Sequence, residues 1–170
     1  MQTREISESL MTLFAELVDG AKSGGGAYML NSGDRGLLRS LEMLSAADAS
    51  RSLDGGATIA AHAQHLRYGL SLMNRWASEG GDPFSDAKWD EAWKTKSVDA
   101  EGWREIQSGL SGEAQRWQRA LGSARAVSRE ELNGMIGSIA HLAYHLGAIR
   151  QIAATSRGPR EGTFASPTAR

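Results

Sequence analysis

Four histidines and no cysteine set the limits of the chemistry open to this 170-residue chain. With no thiolate available, a bound metal must be held by His, Asp or Glu. The histidines fall into two groups. His62 and His65 lie close together in the first half of the chain, and His141 and His145 near its end. On a helix, residues at i and i+4 project from one face a turn apart, so His141 and His145 could share one ion. Neutral imidazole suits Zn, Ni, Cu and Fe. The same spacing also fits an ordinary polar helix face. Two ligands rarely hold an ion, so a third is needed from another helix.

Rival chemistries lack their signatures. A di-iron bundle needs Glu-x-x-His pairs, and no Glu stands three residues before any His. His-Glu-x-x-His is absent, as is a G-x-S-x-G nucleophile turn. Gly24, Gly25 and Gly26 are followed by no Lys-Ser/Thr and preceded by no strand pattern, so they read as a loop and not as a phosphate cradle. The formal net charge of -1 favours neither nucleic acid nor an anionic membrane surface. The N-terminus carries acids where a secretory signal needs an apolar stretch. No run approaches the ~18 apolar residues of a membrane span. A cytoplasmic protein is expected.

The elements that must position these histidines read as helices. Glu5 to Ala21 carries Leu10, Phe14 and Leu17 at helical spacing. Asp34 to Ser45 carries Leu37, Leu38, Leu41 and Leu44, and Ser50 to Gly56 is a polar connector. Thr58 is placed to cap a helix running to about Ser78, which Gly80-Gly81 and Asp82-Pro83 then break. Phe84 to Val98 is a long crossover with a helical turn, holding Trp89 and Trp93. Asp99 to Arg125 has Trp103, Ile106, Leu110, Trp117 and Leu121 in phase, with Trp103 and Trp117 expected in the core. Ser128, with Glu131 three residues on, forms a capping box for a helix reaching about Thr155. No segment alternates as a strand would. The expected fold is all-α, a four-helix bundle with long crossover connections over residues 1–156, followed by a loose tail over 157–170.

Helical phase places the histidines beside the core stripe. At roughly 100° per residue, His65 lies about 120° from the stripe of Ile59, Ala63, Leu66, Leu70 and Met73. His145 lies about 120° from the stripe of Leu132, Met135, Ile139, Leu142 and Leu146, with His141 slightly farther round. Both flanks also carry apolar residues. A cleft between helices would have this pattern, and so would a half-exposed surface. His62 sits nearer the core and reads as a buried histidine with a polar partner, or as the ligand in place of His65.

At these residues the sequence resembles a known family. Thr58-Ile59-Ala60-Ala61-His62-Ala63-Gln64-His65-Leu66 resembles the second-helix signature of the DinB-like (YfiT-like) metalloenzymes. His141-Leu142-Ala143-Tyr144-His145-Leu146-Gly147-Ala148-Ile149 resembles their final-helix signature, with Ala148 where the family usually has Gln. The resemblance implies a bundle of DinB/YfiT type. It implies His65, His141 and His145 as ligands of one divalent ion, Zn or Ni first and Fe or Mn as alternatives, with positions left open. It further implies a small-molecule substrate, a low-molecular-weight thiol as partner, thiol S-transfer or hydrolysis as the reaction, and often a homodimer.

Other residues stand near this motif in sequence. Tyr68 and Tyr144 could orient a substrate or simply pack. Arg67 and Arg150 could meet an anionic substrate or sit in solvent. A non-catalytic, metal-binding or stress-associated interaction module is the competing reading, because the motifs contain no carboxylate to act as general base.

Overall fold

The computed structural model of the chain describes residues 3–21, 26–123 and 125–159. Among them the chain is all-α, with one isolated β-bridge between Ser52 and Thr58. In chain order the helices are α1 (Thr3–Asp19), α2 (Gly36–Glu42), α3 (Ala46–Ala49), α4 (Ile59–Glu79), α5 (Trp89–Ala92), α6 (Ala100–Gly122) and α7 (Arg129–Ile152). A 3-10 turn follows at Ala154–Ser156. Gly24, Gly25 and most of the expected tail, residues 160–170, lie outside the described residues. No described helix is long and apolar enough to cross a membrane.

Side-chain caps fix where the long helices begin. The Thr58 hydroxyl accepts the Ala61 N–H at 3.1 Å, Asp99 accepts from Gly102, and Ser128 accepts from Glu131. Each satisfies one of the backbone donors that a helix start leaves unpaired. The capping box expected at Ser128 is only half made, because Glu131 pairs with Arg125 instead of returning to the cap. Gly80 ends α4 with φ 73, a backbone conformation that suits glycine. The helix expected over 34–45 is shorter, Gly36–Glu42, and a separate short helix follows it at Ala46–Ala49, where none was expected. Ser45 accepts from Asp48 N–H while the Asp48 carboxylate accepts from Ser45 N–H. That reciprocal box starts a new helix where α2 would otherwise have continued.

The four long helices share one core. α1 packs against α6 and α7, and α4 packs against the same two. Phe14, Leu17, Leu66, Leu110, Trp117, Leu142 and Leu146 are almost fully buried between them. Trp103 and Trp117 lie in the core, as their phase predicts, and each indole finds an acceptor. Trp103 Nε1 donates to Leu44 O and Trp117 Nε1 to Ser138 Oγ, both at 2.8 Å. α1 and α2 meet backbone to backbone: a Cβ on Gly20 would lie 2.2 Å from Asp34 O.

One buried ion pair ties the end of α7 to the start of α2. Arg150 donates to Asp34 Oδ1 at 2.6 Å, and the Asp34 side chain is only 2% exposed. Asp34 also accepts the Gly36 N–H at 2.9 Å. Removing one partner leaves the other charge buried and unpaired, which typically costs about 3–5 kcal/mol. Asp34→Ala should therefore lower the unfolding free energy by about that amount in a denaturant titration, and a loss under about 1 kcal/mol would contradict the pairing.

Candidate metal centre

α4 lies against α7, and their facing flanks bring the four histidines together. His65 Nε2 lies 3.1 Å from His141 Nε2, and His145 Nε2 lies 2.9 Å from the same atom. One ligand nitrogen each from His65, His141 and His145 falls within 4.8 Å of the others. The ring centroids of these three are 4.4 to 5.0 Å apart. His65 and His145 are buried, and His141 is half-buried. Of the two surroundings the helical phase allowed, the structure has the cleft.

The donor set fits a cation. A lone imidazole nitrogen either carries one hydrogen or offers one lone pair. His141 Nε2 therefore cannot form a linear hydrogen bond with both of its neighbours at once, and protons alone leave one close contact poorly satisfied. An ion between the rings would satisfy all three. Tetrahedral ligands about 2.0–2.1 Å from zinc stand roughly 3.3 Å from one another, close to the separations above. Among the described residues this group holds no carboxylate.

His62 is placed as the partner of His145. Its Nδ1 lies 2.8 Å from His145 Nδ1, so one of the two nitrogens carries the shared proton. When His145 ligates through Nε2, its Nδ1 carries that proton and donates to His62 Nδ1. This contact fixes the tautomer and ring orientation of His145. The reading of His62 as a buried histidine with a polar partner holds, and the partner is another imidazole.

The rings can lie this close only if they are uncharged. Burial lowers the pKa of all four. His65 is pushed down to about 4 and His145 to about 3, first by burial and then by the other histidines beside them. The site is thus deprotonated and ready for a cation at neutral pH.

The crossover forms the fourth wall. Trp93 stacks on His65 with centroids 4.2 Å apart and planes 24° from parallel. It also meets His62 edge-on at 5.4 Å. Trp89 lies against His65 from the other end of α5. The segment is strapped along α4. Arg75 donates to Pro83 O at 2.6 Å, the Lys88 N–H donates to Tyr68 Oη at 2.8 Å, and Thr58 Oγ1 donates to Thr95 O at 3.0 Å. His65 Nδ1 is buried with no described hydrogen-bond partner, so this ring is held by stacking.

The remaining candidates stand in other roles. Tyr68 holds the crossover through its hydroxyl and packs against Trp89. Tyr144 is 70% exposed and touches His145 only ring to ring, at 5.0 Å. Arg150 is engaged by Asp34. The Arg67 side chain lies over Gly109 of α6, where a Cβ would come within 2.4 Å of its Nε. Neither arginine joins the histidine cluster. The tryptophan wall is the part least evident from sequence. Its only signal was the pair Trp89 and Trp93, one helical turn apart in a polar segment.

No protein-family model matches the chain, and no curated protein or solved structure matches it either. The likeness to the DinB-like family therefore stands on the two helical motifs.

Two outcomes follow from the geometry. His62→Ala should weaken zinc binding about 10- to 100-fold in a competition titration while the fold is retained, and unchanged affinity would remove the orienting role. The metal-free protein should also be acid-sensitive. An unfolded histidine titrates near ~6.5, whereas His65 and His145 in the folded state titrate near about 4 and about 3. Stability is complete above the unfolded value and falls as pH drops toward the folded ones, because only the unfolded chain takes up protons there. Chemical denaturation across that range should show the decline, and His145→Leu should flatten it.

Proposed function

We propose that this chain is a divalent-metal-dependent enzyme of the DinB-like four-helix-bundle type, acting on a small molecule at a centre held by His65, His141 and His145. The observation that carries the reading is the convergence of three imidazole nitrogens from two helices within 4.8 Å. Zinc or nickel suits such a set best, with iron and manganese as alternatives. When bound, the ion supplies Lewis acidity that favours deprotonation of a coordinated thiol or water near neutral pH.

The chain's own residues do the rest. His62 orients His145 through the shared proton. Trp89 and Trp93 shield His65 and keep the local dielectric low. Thr58 and Tyr68 hold the crossover that carries both indoles. Thiol S-transfer is preferred to hydrolysis on the family resemblance alone, and the cluster contains no carboxylate to serve as general base. The same lack favours a second reading, a non-catalytic metal-stabilised module. A homodimer would have Ile136 and Tyr144 of α7, both more than half exposed, available for contact.

Elemental analysis of protein purified without a His tag tests the reading. The wild type should carry close to one zinc or nickel ion per chain, and His141→Ala should carry less than about a tenth of that. The loaded wild type should transfer a thiol to an electrophile, and the variant should not. Metal-dependent melting with no such transfer in correctly loaded protein would favour the non-catalytic module.

A further inference from the structure

A cavity of about 300 Å³ opens beside the histidine cluster, with His141 in its wall. Leu66, Leu70, Met73, Phe84 and Trp89 supply apolar walls. Trp89 serves both places, since it also flanks His65. Three of the cavity's wall positions are glycine, Gly69, Gly134 and Gly137. A Cβ on Gly69 would already stand 3.9 Å from both His141 and Trp89, and the Trp76 ring lies directly over Gly134. Gly137 also lines the cavity and has nothing within 4 Å of its missing Cβ, so a longer side chain there meets no obstacle.

Polar groups in this wall are few. Apart from His141 and the indole N–H of Trp89, the only polar side chain among the described residues lining it is Ser138. Its hydroxyl is committed, accepting from Trp117 Nε1 and donating to Met135 O. Among the described residues no charged side chain lines the cavity. Arg75 is engaged by Asp86 and Arg150 by Asp34, and the Arg67 side chain lies over Gly109 of α6. The neighbouring cleft, which shares Phe84 and Gly134, carries Asp82 and Glu130. An anionic group lodged among these walls, away from the histidine centre, would lose its hydration, gain no counter-charge from them and face two acids at one side.

We propose that this cavity binds the uncharged, aromatic body of a small ligand whose polar head reaches the His65–His141–His145 centre. The proposal rests on the metal reading above and narrows it to a substrate class. The volume is about twice that of an engineered apolar cavity that takes up benzene, ~150 Å³, so a substituted single ring fits. The indole of Trp89 and the phenyl of Phe84, stacked at 6.1 Å with planes 23° apart, offer aromatic surface to such a ring. A large, charged thiol would have to keep its polar part outside, leaving this cavity to its apolar co-substrate.

The experiment uses two probes and three forms of the protein. Toluene is titrated into metal-free wild type, Gly137→Ala and Gly137→Leu, followed by saturation-transfer NMR, with melting temperature as the check on folding. Wild type and Gly137→Ala should bind saturably and alike, while the leucine side chain should weaken binding by at least about tenfold. In the zinc-loaded protein, benzyl mercaptan should bind at least about tenfold more tightly than 2-mercaptoethanol. That gap should close in folded Gly137→Leu. Absence of saturable toluene binding to wild type, equal binding by Gly137→Leu, or no preference between the thiols overturns the proposal. Toluene binding that responds to Gly137→Leu in a protein that takes up no zinc overturns the metal reading and leaves the aromatic cavity standing.

Discussion

Imidazole rings packed nitrogen to nitrogen are tolerable only while they remain uncharged, and the histidine cluster between α4 and α7 lives under that constraint. His141 Nε2 has a neighbouring ring nitrogen at 2.9 Å and another at 3.1 Å. A proton on each ring would set like charges against one another in a buried place, and burial alone already disfavours the charged forms. What remains is a set of lone pairs and shared protons directed at a small volume. That arrangement is costly for a protein with nothing to put there, and favourable for one that binds a cation. The tryptophan wall, the strapped crossover and the fourth histidine all make sense as means of holding neutral rings in a mutual approach they would not otherwise keep.

The means are distributed along the chain. α4 carries His62 and His65 and anchors the crossover through its cap Thr58, Tyr68 and Arg75. Thr58 does two jobs, since its hydroxyl accepts from the first turn of α4 and donates to Thr95. The cap that starts the ligand-bearing helix thereby fixes where Trp93 lies. At the far end of α7, Arg150 is locked to Asp34, which sets α7 against the first half of the chain and so constrains the register of His141 and His145.

Much of this was legible in the residues. The 3.6 period of the apolar positions located the four long helices, and Thr58 and Ser128 marked the starts of two of them because small polar side chains satisfy the first backbone donors. The i and i+4 spacing of His141 and His145 paired them, and helical phase put His65 on a flank that could face them. Other features were not legible for physical reasons. α3 exists because Ser45 and Asp48 cap one another, a local contest that an apolar period does not register. Arg150 reads as a free cation until Asp34, 116 residues earlier, is seen to meet it. Trp93 stands 28 residues from His65 in a segment without periodic pattern. Only the folded crossover shows that the indole covers the imidazole.

X-ray absorption at the zinc edge of the loaded protein tests the central claim most directly, because it reads the atoms around the ion without reference to activity. The account predicts a first shell containing three imidazole nitrogens at about 2.0–2.1 Å with the outer-ring scattering of histidine, and two such imidazoles or fewer in His65→Ala. A shell made of oxygen alone, or a histidine count that His65→Ala leaves unchanged, would contradict it.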